Sequence, residues 1–277
     1  GWRADVVHRE GGDITTPRGP LANTDFEQTN ATVMGGYSAP WGSVRARWHH
    51  WENDTGFFRP AGFRLGLDDD FLAGDVHVAT RAGVLEVVAG RQRNARESFD
   101  AVDLPASLAM TLRTTTLRGA LQHLEVGRWR GQVALDYQAV DNDTRVGTLV
   151  PDYQSRTGAV MVFEEARFLP FGVSGSHRLI ISTGVRGDHQ ALEVSRSDAD
   201  ATRRFTAVTG ALGAVWRPGE HLAVAASLGR GWRPPSAFEL YADGIHGGVA
   251  AVQRGNPRRW SGHPLASGDS RDNRSGP

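Results

Sequence analysis

Metal capture is the first chemistry to weigh, because the chain carries ten histidines and no cysteine. Imidazole suits zinc, copper and nickel. His49 and His50 are adjacent, and adjacent side chains on a strand leave opposite faces, so the two cannot share an ion. His246 lies in a glycine-rich loop. His49 and His246 are therefore candidates for ligand contact, against the plainer alternative of polar residues facing water. Asp68-Asp69-Asp70 and Asp198/Asp200 bring carboxylates together, but without the spaced ligands and bidentate Glu of a calcium loop, so solvated loops account for them better. Gly172-Val173-Ser174-Gly175-Ser176 lacks the spacing and the strand–turn–helix setting of a nucleophile elbow. The absence of Cys removes disulfides, thiol catalysis, Cys-ligated zinc and iron–sulfur clusters. No Lys is present, so no phosphate loop of the Gly-Lys type exists, and no His-Glu-x-x-His pair occurs. No catalytic residue, resident metal or cofactor is expected, and the chain does not read as an enzyme.

The 31 basic residues, all Arg, balance 31 acidic ones across 277 positions. That balance argues against a nucleic-acid partner, which needs a basic surface. Apolar residues at 39% and charged residues at 22% exclude wholesale disorder. No run approaches 18 consecutive apolar residues, which excludes a membrane-spanning helix and leaves a barrel open, because barrel strands carry only an alternating signal.

Alternation dominates the chain. In 129–138 one face reads Trp, Gly, Val, Leu, Tyr and the other Arg, Gln, Ala, Asp, Gln. The same pattern sets Leu222, Val224, Ala226 and Leu228 against His221, Ala223, Ala225 and Ser227, and Leu179, Ile181, Thr183 and Val185 against Arg178, Ile180, Ser182 and Gly184. About eleven such strands are expected, near 2–10, 24–38, 41–53, 63–78, 83–97, 107–124, 129–141, 154–168, 177–194, 202–217 and 220–232. Many exceed the usual length of about five or six residues, which favours a tall barrel.

The connections alternate. Short ones fall at 38–40, 125–127 and 218–219. Long polar ones fall at 11–23, 54–62, 98–106, 142–153 and 195–201. The connection at 169–176 is longer than this rule prefers, and the one near 79–83 is poorly marked. Short turns on one rim and long loops on the other suit an outer-membrane barrel. Trp41, Trp129 and Trp216 sit beside short turns, with Phe168 and Phe171 near a fourth, as an interfacial aromatic girdle requires. Arg45, Arg47, Arg178 and Arg186 fall on polar strand faces. They either favour anionic ligands in a wet interior or pair with interior Asp and Glu, and the zero net charge favours pairing.

Arg230-Gly231-Trp232-Arg233-Pro234-Pro235-Ser236-Ala237-Phe238-Glu239-Leu240 resembles a hallmark stretch of TonB-dependent outer-membrane receptors, in which a strand ends in Arg-x-aromatic-Arg-Ala-Pro-Ser/Thr followed by Glu-Leu and a loop. Arg230, Trp232, Arg233, Pro235, Ser236, Glu239 and Leu240 match, and Pro234 replaces the usual Ala. Gly255, Asn256 and Pro257 match the family's Gly-Asn-Pro before its next strand. Asp152–Thr157 leading to Phe163-Glu164-Glu165 also looks like the family's mid-barrel strands. The resemblance covers 1–257 and implies a Gram-negative outer-membrane location, lipid around the wall, dependence on the TonB system, and uptake of a scarce nutrient such as a siderophore or metal chelate. The family's plug, with its TonB-contacting segment, is missing here, and Arg258-Arg259-Trp260 stands where the family continues with Asx-Leu-x-Pro-Glu.

The expectation is therefore an all-β protein: an antiparallel transmembrane β-barrel meander of about eleven strands over 1–257, with an unstructured polar tail at 258–277. A receptor barrel of this family needs about 22 strands. An odd antiparallel set cannot close, so an open sheet with two free edges is expected, a partial barrel such as a frameshift or premature stop would leave. Gated uptake by this chain alone is not expected. The alternative is a soluble secreted β-sandwich or β-solenoid that binds carbohydrate. A sandwich buries its apolar faces against each other, whereas a barrel wall turns them outward in a band about 25 Å tall. A barrel enzyme would need clustered Ser, His and Asp or paired carboxylates at one rim, and the sequence offers none.

Overall fold

The computed structural model describes residues 1–58, 62–101, 104–171, 177–195, 201–218, 222–246 and 251–258. One eleven-stranded antiparallel sheet dominates. It runs through β1 (Trp2–Gly11), β4 (Phe26–Ala39), β5 (Gly42–Gly56), β6 (Arg64–Thr80), β7 (Gly83–Phe99), β8 (Leu108–His123), β9 (Trp129–Val146), β10 (Asp152–Phe171), β11 (His177–Ser195), β12 (Ala201–Arg217) and β13 (Val224–Arg230). Each strand pairs with its neighbours in chain order, and β1 and β13 are the edges. The expected strands and the open meander are present. Two short hairpins were not foreseen: β2 (Ile14–Thr16) with β3 (Gly19–Leu21) inside the first long connection, and β14 (Asp243–His246) with β15 (Ala251–Arg254) beyond β13. Among the described residues one short helix, α1 (Ala237–Tyr241), is present, and it precedes that second hairpin.

The alternation read from the sequence separates two faces. One is apolar and exposed. Val33 of β4 lies opposite Trp48 of β5, which lies opposite Leu72 of β6. Leu135 of β9 lies opposite Val160 of β10, and Gly187 of β11 carries the row to Val208 of β12. Every large side chain in these rows is exposed. The sheet is a single layer with no second sheet against this face among the described residues, so the apolar surface is turned out rather than buried as a sandwich would bury it.

The short rim is built by tight turns. Ala39 and Gly42 pair across Pro40-Trp41, and Thr80 pairs with Gly83 across Arg81-Ala82, which resolves the poorly marked connection near 79–83. Gly42 (φ +148°) and Gly83 (φ +143°) adopt backbone angles that L side chains avoid. A Cβ at either would also strike a carbonyl of the adjacent strand, that of His77 or of Gln122. Thr80 Oγ1 donates to the Gly83 carbonyl at 2.8 Å and closes the second turn. Trp41, Trp129 and Trp216 are exposed at this rim, and the Arg128 guanidinium covers the Phe168 ring at 4.8 Å.

Several sequence features lie outside the described residues: Gly172–Ser176, Asp198 with Asp200, His221, and the expected tail from 259 onward. The Asp68–Asp70 run is not the solvated loop expected. It lies within β6, where alternation sends its carboxylates to opposite faces.

Candidate functional site

The second face of the sheet is polar and held together by ion pairs. Arg45 Nε meets Asp75 at 2.9 Å, and His77 Nε2 lies 3.3 Å from the same carboxylate. Asp69 is buried and accepts from Gln92 at 2.7 Å and Asn94 at 2.9 Å. Arg118 reaches Asp136 at 3.0 Å, and Arg186 bonds both Asp136 and, at 2.9 Å, Asp188. Arg47 takes a different partner, stacking over Phe71 at 4.9 Å. Pairing of the interior arginines thus holds at Arg45 and Arg186.

At the rim of long connections this polar face is covered by the segment that follows β13. The chain leaves the sheet after Arg230, earlier than the strand to 232 expected from alternation, and Pro234 and Pro235, which lack N–H groups, keep it from rejoining the ladder. Ser236 then caps α1. Its Oγ accepts from the Glu239 N–H at 3.2 Å, and the Glu239 carboxylate accepts from the Ser236 N–H at 2.9 Å, a reciprocal capping box. Arg233 clamps the same carboxylate with two bonds, at 2.7 and 2.9 Å. The Arg233 guanidinium and the Ser236 N–H hold the Glu239 carboxyl far below the ordinary range, at about 2.

The other side of α1 docks on the sheet. Leu240 (1% exposed) and Tyr241, with Ala237, pack against Leu192 (1%), Val194 and Phe205 of β11 and β12, and Trp232 and Tyr153 flank them. Leu192 and Val194 continue the polar face of β11 that Arg186 and Asp188 occupy lower down, so polarity gives way to a small apolar core only where α1 lands.

The two halves of the sequence motif meet here. The Gly255 N–H donates to the Ala242 carbonyl at 2.6 Å, and the Asn256 N–H to the Glu239 carbonyl at 2.9 Å. Gly255 lies on the Leu240–Tyr241 backbone so closely that a Cβ would overlap it. Arg203 of β12 fastens both halves, donating to Tyr241 Oη at 3.2 Å and to the Pro257 carbonyl at 3.1 Å. Pro235 is buried, and Arg230 ends β13 opposite Gly210. Sequence reasoning named the motif but missed Arg203, Leu192, Val194 and Phe205, because their role exists only once β11 and β12 are paired.

Beyond α1, β14 crosses toward the neighbouring long connections. Its backbone is tied by the Asp243 N–H to the Leu149 carbonyl at 3.3 Å. A cavity of about 560 Å³ opens there, lined by His246, Arg96, Ser98, Ser107, Phe63 and Leu149 among others. Its wall is steadied by Asn23, which donates to the Phe63 and Phe57 carbonyls, both at 2.8 Å. Arg64 grips Asp25 in a bidentate pair and also Asp54, and this hydrogen bonding draws the Asp25 pKa below its usual value. His246 Nδ1 is buried with no hydrogen-bond partner. His49 does not line this cavity; it sits on the polar face with Nδ1 at 3.1 Å from Thr32 Oγ1. His50, as the strand geometry requires, leaves the opposite face and stacks on Trp48. Potential ligand atoms of His50, Asp68 and Asp70 lie within 4.8 Å of one another, but the Arg93 guanidinium already answers both carboxylates, at 2.8 and 3.9 Å.

A family model described as "TonB dependent receptor-like, beta-barrel" matches residues 1–258. No curated protein sequence matches the chain. Solved structures with the same fold include a double mutant of the Serratia marcescens hemophore receptor HasR in complex with its hemophore HasA and heme. It has a TM-score of 0.66 and 15% identity, over 91% of this chain and 44% of that one. The alcaligin outer membrane receptor FauA from Bordetella pertussis has a TM-score of 0.60 at 15% identity, over 84% of this chain and 39% of that one. The copper transporter OprC has a TM-score of 0.59 at 14% identity, over 86% and 42% respectively. The chain thus spans less than half the length of each of these structures.

Proposed function

The chain belongs to the TonB-dependent receptor β-barrel family, and from that premise we propose that it forms part of the wall of a Gram-negative outer-membrane receptor that takes up a scarce nutrient. The observation that carries this function is the partition of one single-layer sheet into an exposed apolar face and an ion-paired polar face. In a barrel wall the first meets lipid and the second faces a wet lumen. The strands are long enough: β6 and β7 each have 17 residues, where a tilted barrel strand needs roughly 9–11 to cross the hydrocarbon. The edges β1 and β13 call for further strands, since unpaired backbone in hydrocarbon costs several kcal/mol per group. Gated uptake and engagement of the TonB system are assigned to the complete receptor of which this wall is a part.

The ligand class is a siderophore, metal chelate or similar compound. The solved relatives are named for heme, alcaligin and copper, and His246 supports that class here. His246 lines a cavity among the long connections, and its Nδ1 is buried there without a hydrogen-bond partner; imidazole is the commonest metal ligand among side chains.

Two experiments test this. Epitope tags inserted at 101–104 and at Arg81-Ala82 should differ in cells, the first reachable by antibody from outside and the second hidden. Equal accessibility would refute the wall. Titration of the chain in detergent with copper(II) and with haem should show binding weakened by His246→Ala and not by His49→Ala. Equal effects would remove His246 from the ligand site.

A further inference from the structure

On the apolar face, arginines begin where the exposed leucines stop. Leu72 of β6 lies opposite Arg91 of β7, and two residues nearer the long connections Arg93 lies opposite Arg113 of β8. Leu117, Thr115 and Arg113 are successive positions on the same face of β8. Arg91, Arg93 and Arg113 are all exposed, as are Leu72 and Leu117. Like charges directly opposite each other across antiparallel strands are destabilising, so the Arg93/Arg113 pair is a cost that something must offset. Arg93 is answered by Asp68 and Asp70. The register partner of Arg113 on β9 is Asp141, but Arg156 holds that carboxylate at 2.7 Å. Counting Arg156, four guanidinium groups face three carboxylates here. Arg91 and Arg113 have no ion pair or hydrogen bond among the described residues.

We propose that Arg91 and Arg113, flanked by Arg93, form a seat on the outer wall for the phosphate of a lipid headgroup. The proposal rests on the membrane-wall function above. Three observations select a lipid. The charges lie at the edge of the exposed apolar surface, where headgroups begin. They lie on the apolar face, away from the ion-paired lumen. They are arginines, whose planar fork matches phosphate oxygens in pairs of hydrogen bonds. A free phosphate ion would gain nothing from Leu72 and Leu117 below the seat, whereas the acyl chains of a phospholipid cover both.

The test is flotation of the full chain with vesicles of phosphatidylcholine alone, and with vesicles in which part of that lipid is replaced by phosphatidic acid. The chain should bind the phosphatidic acid vesicles several-fold more tightly. R91Q/R113Q should lose roughly tenfold or more of that preference, given the typical effect of two cations at an anionic surface, and leave binding to phosphatidylcholine unchanged. R91K/R113K should retain most of the preference. R47Q/R178Q, which removes the same charge from the polar face, should retain it fully. Equal losses in R91Q/R113Q and R47Q/R178Q would overturn the seat in favour of overall charge. Release by inorganic phosphate at matched phosphate concentration would overturn a lipid as its occupant. Retention by neither vesicle would overturn the membrane wall itself, and the seat with it.

Discussion

Arg186 of β11 bonds Asp136 of β9 across the whole of the intervening strand β10. The residue it passes is Ala159, the register partner of both Asp136 and Asp188, and that small side chain leaves the guanidinium a path. Arg118 of β8 completes the group at 3.0 Å from Asp136, so one ionic cluster drawn from three strands spans four on the polar face. Asp136→Ala should lower stability by about 1 kcal/mol, since partly exposed pairs are screened, and Ala159→Leu should cost about as much by blocking the path. Both are read from the urea midpoint of the detergent-folded chain. No shift in either variant would mean that the cluster is incidental.

The Glu239 carboxylate gives the docked segment a defined acid limit. In the docked state it stays ionised down to about pH 2, whereas the free side chain protonates near 4.5. Its folded pKa is depressed, so its stabilisation is complete above 4.5 and disappears as pH falls toward 2. Fluorescence of Trp232, which flanks the docked helix, should be constant from pH 7 to 5 and change below 4.5. In Glu239→Gln that acid-dependent change should vanish, and an unchanged profile would refute the assignment.

Gly255→Ala should separate the halves of the motif. The added methyl would meet the Leu240–Tyr241 backbone, which has no flexible side chain to yield. Overpacking of this kind costs about 1–3 kcal/mol. Amide exchange at Gly255 and Asn256, protected in the parent by bonds to Ala242 and Glu239, should accelerate by at least about tenfold while the β9–β11 ladder keeps its protection. Equal acceleration in that ladder would point to general unfolding instead.

Charge should be tolerated on one face and not on the other. Leu135→Arg or Val208→Arg places a cation in the apolar band, at a cost of about 2–4 kcal/mol near the bilayer midplane. Gln138→Arg, on the polar face of β9, should be close to neutral. Heat-modifiable gel mobility after folding into lipid separates these outcomes, and equal tolerance would contradict the lipid-facing assignment.

Much of the sheet was legible in the sequence because a strand with one apolar and one polar face must alternate. The turns at 38–40 and 125–127 were legible because Gly or Pro stands close to a Trp, whereas the turn at Arg81-Ala82 was not, because it carries neither Pro nor an aromatic. The motif of Arg233, Glu239 and Gly255 was legible as a string of residues. Its physical meaning was not, because Gly255 touches Leu240 only after the β14–β15 hairpin returns the chain, and Arg203 joins them only from β12. The Asp68–Asp70 run misled for a related reason: three acids suggest a loop until Arg93, Gln92 and Asn94 appear on the adjacent strand. Ion pairs that skip a strand, like that of Arg186, depend on register and on a small intervening residue, and local pattern specifies neither.

The exposed rows running from Val33 to Leu72 and from Leu135 to Val208 make the chain a surfactant. In plain buffer the sheet would behave less as a solute than as one leaf of a micelle, joining other copies face to face until the apolar rows are covered. Its apparent size in solution should therefore follow the amphiphile supplied and the chain concentration, and should settle to a fixed value only when detergent or lipid occupies that surface.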